Sequence, residues 1–200
     1  MTHGARSVFL NVPFDKPYEP VFIGLVGALV YLGKNPRTVL DLAGGAATRM
    51  NRLINAIRES PFSVHDLSRV QISGRGAGAV PRFNMPFELG LAVVVSLSER
   101  QKPRHGFVVL ESRRFRLQLS LSDMNGYDPL IHSGSQHGGI RAMFDAFAGE
   151  RTADLKAAQR LVGRLSQVAG RLKRAHHTAT VFNRLLCRDL IGAAIRLRNR

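Results

Sequence analysis

The spacing of apolar residues changes along the chain, and the change predicts strands that alternate with helices. Residues 7–12 are a short β-rich run that ends at Pro13, and apolar positions from Val21 to Val30 then recur every three or four residues. The first pattern is typical of a buried strand and the second of a helix. We therefore predict a strand, a loop and a helix in this part of the chain.

The same alternation continues through the next 50 or so residues. A second strand is predicted at residues 38–42, followed by a helix whose apolar face contains Met50 and Leu53. A third strand begins at residue 62. Residues 71–80 are rich in glycine and predict a mobile loop, which in many proteins borders a site.

Another helix and another strand follow the glycine-rich segment. Asn84 is expected to cap a helix that runs through residues 85–97, and residues 106–110 predict the next buried strand. Residues 115–121 favour a helix. Residues 123–130 contain Asn-Gly and Asp-Pro pairs, which predict a connection rich in turns.

This order of elements predicts an α/β fold with a flavodoxin-like, mainly parallel sheet flanked by helices. Residues 1–133 are expected to form this domain. Residues 134–200 are expected to form a basic helical extension that packs on the domain through Leu161, Leu165 and Leu172, or projects from it. In such sheets ligands bind at the carboxyl ends of the strands, so candidate residues were sought there.

Charge and cysteine content narrow the class of protein. The 200 residues contain 29 Lys and Arg against 14 Asp and Glu, a formal charge of +15, and most of the excess lies in residues 151–200. This tail predicts nucleic acid or a partner protein as its ligand, or a merely solvated basic face. A single cysteine, the lack of a signal peptide and the lack of a long apolar run predict a cytoplasmic protein that does not enter a membrane. The histidines lack the partners of a zinc site, so neither a metal nor a cofactor is expected.

Glu88 is the strongest candidate for chemistry because it lies among apolar residues at the start of a helix. A charged carboxylate is costly in such surroundings unless something compensates it, and perturbed carboxylates concentrate at functional sites. Two structural alternatives stay open. Glu88 can reach back to the helix cap, although the spacing from Asn84 is off by one, or it can interact with the helix dipole.

Polar residues also follow the third strand, where the fold places binding residues. Asp66 is a candidate for ribose binding, or it closes the strand in an Asx turn. Ser68 and Arg69 lie beside it and are candidates for substrate binding. His65 is expected to be a hydrogen-bonded core residue in preference to a catalytic one.

The loop after the first strand supplies Asn11, Phe14 and Asp15, which fall on the same edge of the sheet. Phe14 can stack on a base or pack beneath its own helix. Arg82 and Arg69 can clamp phosphates. Asn84 completes the set of expected substrate-binding residues.

Three segments together resemble the nucleoside 2-deoxyribosyltransferase-like and TIR-like superfamily of enzymes that act on N-glycosidic bonds. They are VFLNVPFD at residues 8–15, SVHDLSRV at residues 63–70 and NMPFELGLA at residues 84–92. The resemblance implies that Glu88 acts at the ribosyl C1′, either as a nucleophile or by stabilising a cationic centre, and that Asp66 contacts the ribose. It also implies that Asn11 and Phe14 border the pocket.

The resemblance has one departure that bears on the reaction. The transferases carry a tyrosine in the first loop, whereas Tyr18 lies several residues further on in this chain. We therefore expect cleavage of the ribosyl–base bond of NAD or a related nucleotide, with NAD as substrate and not as cofactor. TIR-like members often act as effectors in bacterial antiviral defence.

Two alternative functions are also consistent with the sequence. The chain can be a catalytically inactive module that senses or binds nucleotides or nucleic acid, with the basic tail as the binding surface. It can also be a protein that self-associates into a homo-oligomer through its helices.

Overall fold

Five parallel strands form the centre of the part of the chain that the structure describes. The computed structural model describes residues 6–41, 48–70, 72–73, 80–98, 104–149 and 154–199. The central sheet has the order β2-β1-β3-β6-β7, and β4 and β5 form a separate antiparallel pair. The strands are β1 (Ser7–Asn11), β2 (Asn35–Thr38), β3 (Phe62–Asp66), β4 (Ile72–Ser73), β5 (Val80–Pro81), β6 (Gly106–Glu111) and β7 (Leu130–Ile131).

Helices cover both faces of this sheet, which confirms the flavodoxin-like α/β fold expected from the sequence. Their bounds are α1 (Glu19–Tyr31), α2 (Arg49–Arg58), α3 (Asn84–Leu97), α4 (Arg116–Ser120), α5 (Gln136–Phe147), α6 (Leu155–Ala175) and α7 (Arg184–Arg198). Val8, Leu10 and Val64 point to one face and share a core with α1 and α5. Phe9 points to the other face and packs against α2 and α3.

The chain leaves two neighbouring central strands toward opposite faces. β1 is followed by α1, whereas β3 leads through the small antiparallel pair to α3. Such a divergence is the topological switch point of an open parallel sheet, and it opens a crevice beyond the carboxyl ends of the two strands. A ligand site is therefore expected at the carboxyl ends of β1 and β3.

The basic tail packs on α1. Gly27 of α1 lies so close to α6 that an added Cβ would meet Val162 Cγ2 at 2.5 Å, and Leu161 and Leu165 are buried at the same contact. On α7, Cys187 is fully buried, with its Sγ 3.7 Å from Thr38 Oγ1 on β2. These helices share one apolar core with α1 and α5. The division of the chain at residue 133 stays a prediction.

A buried carboxylate also joins the tail to the first helix. Glu19, the first residue of α1, accepts hydrogen bonds from Lys173 Nζ on α6 and from the backbone N–H of Val181, the latter at 2.9 Å. Glu19 is 6% exposed. Among the helices described, none is both long and apolar enough to cross a membrane.

Four strands differ from the sequence-based expectation. Strands β4 and β5 include residues 72, 73 and 80 of the segment that the sequence predicted as a loop. The second strand is Asn35–Thr38, and residues 39–41 form a 3-10 turn, because pairing with β1 begins opposite Ser7 directly after α1. The two-residue strand β7 was not predicted, since a turn-rich segment of this length carries no periodic signal. The other predicted strands and helices are confirmed within a few residues.

The helix α3 begins at Asn84, so this residue is not the cap that the sequence suggested. Phe83 precedes the helix and makes no side-chain capping bond, and the Asn84 amide nitrogen lies instead 3.5 Å from Met85 Sδ. Of the glycine-rich loop, residues 71 and 74–79 lie outside the described residues.

Candidate functional site

The predicted site residues divide between the two faces of the sheet. Asn11 on β1 pairs in register with His65 on β3, and both point toward α3. Asp66 follows His65 directly and therefore points to the opposite face, because successive side chains on a strand alternate. Glu88 lies on the α3 side. The structure thus brings Asn11 and Glu88 together but does not bring Asp66 to them.

A chain of buried hydrogen bonds fixes the amide of Asn11. His105 Nδ1 lies 2.7 Å from the carbonyl oxygen of Ser60, which can only accept, so His105 carries its proton there and Nε2 accepts from Ser63 Oγ at 2.7 Å. Ser63 Oγ in turn accepts from His65 Nε2 at 2.8 Å. His65 Nδ1 is therefore left to accept from Asn11 Nδ2, at 3.0 Å. Because the Ser60 carbonyl can only accept, it determines which group donates in each hydrogen bond from His105 to Asn11.

The carboxylate of Glu88 lies at the end of this chain. It is 8% exposed, and burial raises its pKa above the ordinary value of 4.5. The positive charge of Arg49 and a hydrogen bond from the Asn11 amide act in the opposite direction without cancelling the effect of burial. The site therefore holds a carboxylate whose ionised form is only partly compensated.

A cleft of about 320 Å³ lies beside Arg49, the charged neighbour of Glu88. Its walls are Phe14, Val39, Leu40, Arg49 and Arg52, so Arg49 and not Glu88 itself lines it. Apolar groups and two guanidinium groups therefore meet in one concave surface. Such a surface suits a ligand with a flat apolar part and an anionic part.

The opposite face carries a second polar cluster, centred on Asp66. Asp66 is fully buried, and it accepts hydrogen bonds from the Tyr18 hydroxyl and from the backbone N–H of Ser68, the latter at 2.7 Å. Nε2 of His132 lies 3.0 Å from Oδ2 of this carboxylate. Burial and the charge of Asp66 raise the pKa of Tyr18, so the phenol keeps its proton and donates. This cluster closes on itself and leaves Asp66 little capacity for a ligand.

The cleft above that cluster has a volume of about 440 Å³. Arg69 and Arg113 give it positive charge, and Ser68 lines it with its Oγ unpartnered among the described atoms. Ser68 and Arg69 therefore line a concave surface, as expected of binding residues. Glu88 is not among the residues of its wall.

Arg69 and Arg82 both contact Asp15, which the sequence did not indicate. Asp15 accepts from Arg69 Nη2 at 3.1 Å and Nε at 3.2 Å, and from Arg82 Nη1 at 3.1 Å. Burial acts to raise the pKa of Asp15, but the two arginines outweigh it, and the pKa lies below its ordinary value. These ion pairs tie the loop after β1 to the segments after β3 and before α3, so they brace the crevice at the switch point.

The two remaining candidates lie at the edge of these groups. Phe14 packs against Phe22 and Phe182, with ring centroids 6.5 and 5.4 Å apart, and it also lines the smaller cleft. Asn84 is exposed at the start of α3. Phe14 therefore has the packing role that the sequence left open, with part of its ring at the cleft.

Several contributors to the site were missed from the sequence. Arg49 and His105 carry no local motif, and His132 follows the strand β7, which has no signal in the sequence. Ser63 opens the segment at residues 63–70 and Tyr18 lies in the connection after β1, so both stood in segments already singled out. Within the described residues there is no group of three His, Cys, Asp or Glu side chains that could hold a metal ion. Comparisons with protein-family models, curated proteins and solved structures found no match to this chain.

The buried imidazole of His65 predicts a loss of stability in mild acid. Burial, with a contribution from His105, lowers the pKa of His65 from 6.5 to about 3. Between these values the unfolded chain takes up a proton that the folded chain refuses, so stability is complete above pH 6.5 and falls as the pH decreases toward 3. We expect His65 alone to cost about 2 kcal/mol at about pH 5.

This expectation can be measured by urea unfolding at about pH 7.5 and about pH 5. The variant His65→Gln has no group that titrates there, so its stability should change less between the two conditions. Subtracting the two pH dependences removes the other titrating groups, including Glu88, whose raised pKa acts with the opposite sign. An equal pH dependence in both proteins would contradict the assignment.

Proposed function

We propose that this chain cleaves the N-glycosidic bond between the ribose and the base of a nucleotide, with NAD as the favoured substrate and Glu88 as the catalytic residue. One observation supports this above the others. The Glu88 carboxylate is buried, has a raised pKa and accepts a hydrogen bond from the amide of Asn11, the last residue of β1. A site of this kind gains free energy when a positive centre develops beside it.

The reaction creates such a centre. As the bond from C1′ to the base nitrogen breaks, the base leaves with the bonding electrons and positive charge grows on the ribose. A nearby carboxylate in a poorly hydrated site stabilises that charge more strongly than it would in water. Water then forms the new bond to C1′ and loses a proton, either directly or after a ribosyl ester of Glu88 has formed. Both routes require the ionised carboxylate.

The smaller cleft fits the remainder of such a substrate. Arg49 and Arg52 are suited to phosphate oxygens, because a guanidinium presents paired N–H donors. Val39, Leu40 and the edge of Phe14 are suited to an aromatic base or the apolar side of a sugar. The chemistry that recognises the ligand is thus that of an anionic nucleotide.

The proposal is tested by incubating the full chain with NAD and with a panel of nucleosides and nucleotides. Products are separated by chromatography, and release of a free base with formation of the corresponding ribosyl product is the expected result. Glu88→Gln should abolish release, whereas Glu59→Gln, which alters an exposed carboxylate on the far end of α2, should not. Turnover that survives in Glu88→Gln would remove the proposed mechanism.

A second function, binding of nucleic acid, is favoured by a stripe of exposed basic residues on α6. The stripe repeats at intervals of three, four or seven residues, so its members share one face of the helix. They are Lys156, Arg160, Arg164, Arg171 and Arg174. The face is continuous over most of the length of α6 and is suited to a line of phosphates.

Binding through this face should depend steeply on salt. Each phosphate contact contributes about −0.9 to the slope of log K against log salt for duplex DNA. The double variant Arg164→Gln, Arg171→Gln should therefore flatten the slope by about 2. The matched control, Arg6→Gln with Arg104→Gln, removes two exposed arginines at the amino end of the sheet and should leave the slope unchanged. Binding that both double variants weaken equally would argue against a site on α6.

A further inference from the structure

Helix α3 presents an apolar stripe to the outside of the protein. Its inward positions, among them Leu89 and Ala92, are buried, as expected for a helix on a sheet. Four large apolar residues of α3 and its amino-terminal flank also point outward, at spacings of four, seven and three residues that keep them on one face. They are Phe83 at 69% exposure, Phe87 at 54%, Val94 at 68% and Leu97 at 67%.

The short helix α4 packs on the same buried cluster as α3. Leu117 of α4 is fully buried in that cluster, which also contains Met85 and Leu89 of α3. Two large apolar residues of this segment point outward, Phe115 at 73% exposure and Leu119 at 88%. We refer to these six outward residues of α3, α4 and their amino-terminal flanks as the α3–α4 surface.

Helix α1 has an apolar composition similar to that of α3 but is covered on all sides. Both helices are apolar on nearly all sides, and α1 is enclosed by the sheet, α5, α6 and α7. A helix that is apolar all round is normally buried on all sides. Among the residues that the structure describes, the outward side of α3 has no comparable cover.

The residues of this sequence outside the described ranges carry few large apolar side chains. They contain Met1 and Leu42 as residues of this kind. Two such side chains are too few to cover three phenylalanines and three aliphatic residues. Another molecule can supply the cover that the described residues do not.

We propose that this partner is a second copy of the chain, joined through the α3–α4 surface in a two-fold dimer. Glu88 is the only charged residue between residues 83 and 98, and it points inward. A chain of charge +15 repels another copy of itself over most of its surface, and the outward side of α3 is an exception, whereas Arg113 and Arg114 are exposed beside Phe115 at its edge. An uncharged apolar face is self-complementary, which a two-fold interface requires.

The area is of the size that a stable dimer needs. A whole aromatic side chain buries about 150–250 Å², and each of these phenylalanines, at 54–73% exposure, can bury that fraction of it on association. With the three aliphatic residues and a polar rim, the surface approaches the roughly 800 Å² per partner of a standard interface. A patch of this size exceeds what monomeric proteins ordinarily expose.

Gly90 marks the point where two copies of α3 can cross. It lies in the middle of the outward stripe, and a Cβ added there would meet no atom within 4 Å. The lack of a side chain at this point lets two helix backbones approach closely, with Phe87 of each copy beside Val94 of the other. The glycine thus places the two-fold axis near the centre of α3.

The mass of the full chain, measured by sedimentation across a wide range of protein concentration, tests the proposal. The wild-type chain should change from monomer to dimer as concentration rises. Val94→Lys should raise the dissociation constant about a hundredfold, because each new ammonium group would be buried against the partner's Phe87 without a counter-charge. Leu185→Lys is the matched control, since Leu185 is 55% exposed on α7, away from this surface, and this variant should dimerise like the wild type.

A second variant makes the test independent of any loss of stability in Val94→Lys. Gly90→Cys should form a disulfide-linked dimer when a disulfide oxidant such as oxidised glutathione is present, whereas Leu185→Cys should not. A wild-type chain that stays monomeric throughout, or a Val94→Lys variant that dimerises as well as Leu185→Lys, would overturn the proposal. Neither measurement depends on turnover, so the outcome is separate from that of the Glu88 mechanism.

Discussion

Glu88→Gln is expected to slow base release at least about a thousandfold while the protein remains folded. The substitution keeps the size of the side chain and its hydrogen-bonding oxygen but removes the negative charge. That charge is what stabilises the ribose as the base departs, and it acts in a buried setting where water screens it weakly. The measurement is the single-turnover rate with saturating nucleotide, compared with Glu59→Gln.

The pH dependence of the wild-type rate gives an independent signature. Only the ionised form of Glu88 can act, so the rate should decline on the acid side as the carboxyl takes up a proton. Because burial raises the pKa of Glu88, this decline should begin above the pH expected from the ordinary value of 4.5. Glu59→Gln should keep the same profile. A flat acid side in an active enzyme would mean that another group carries the chemistry.

Glu19→Ala is expected to lower the free energy of unfolding by about 3–5 kcal/mol. Glu19 is buried and accepts from Lys173 Nζ and from the backbone N–H of Val181. Removing the carboxylate leaves an ammonium group and a buried N–H without their acceptor, and both lose more than a solvent-exposed pair would. The substitution also removes the hydrogen bonds by which α1 holds the C-terminal helical tail.

The matched control is Glu59→Ala, which removes a carboxylate from an ion pair with Arg37 at the surface. In that pair the Glu59 side chain is 62% exposed, and the contact distance is 3.3 Å. Exposed pairs contribute about 0–1 kcal/mol, so this variant should unfold close to the wild type in urea. Equal destabilisation by the two substitutions would show that Glu19 does not hold the tail in the way described.

The sequence predicted the central strands and the helices because their signals are local. Strands β1 and β6 each contain a short apolar run, β3 alternates apolar Phe62 and Val64 with polar residues, and α1, α2, α5 and α6 have apolar positions at helical spacing. The edge strands lacked that signal. β2 is Asn-Pro-Arg-Thr, whose proline an edge strand tolerates, and β7 has two residues. Both are strands only because a neighbour pairs with them.

The sequence indicated at which strand ends the candidate residues lie, but it did not indicate which of these residues contact one another. The strand-end rule led to Asn11 and Asp66, but the alternation of side chains places them on opposite faces of the sheet. The ion pairs of Asp15 with Arg69 and Arg82, and the chain from Ser60 to Asn11, join segments 40 or more residues apart. No local spacing encodes such contacts, since they depend on the register of strands and the packing of α3.

The bond between Glu19 and Val181 spans 162 residues, and this separation sets an order of events during synthesis. The first helix emerges from the ribosome long before its acceptor groups can meet their donors. At the usual rate of about 5–20 residues per second, the wait lasts on the order of ten seconds. Through that interval the apolar side of α1 that the tail covers stays open, and a nascent chain is most exposed to misassembly or chaperone capture there.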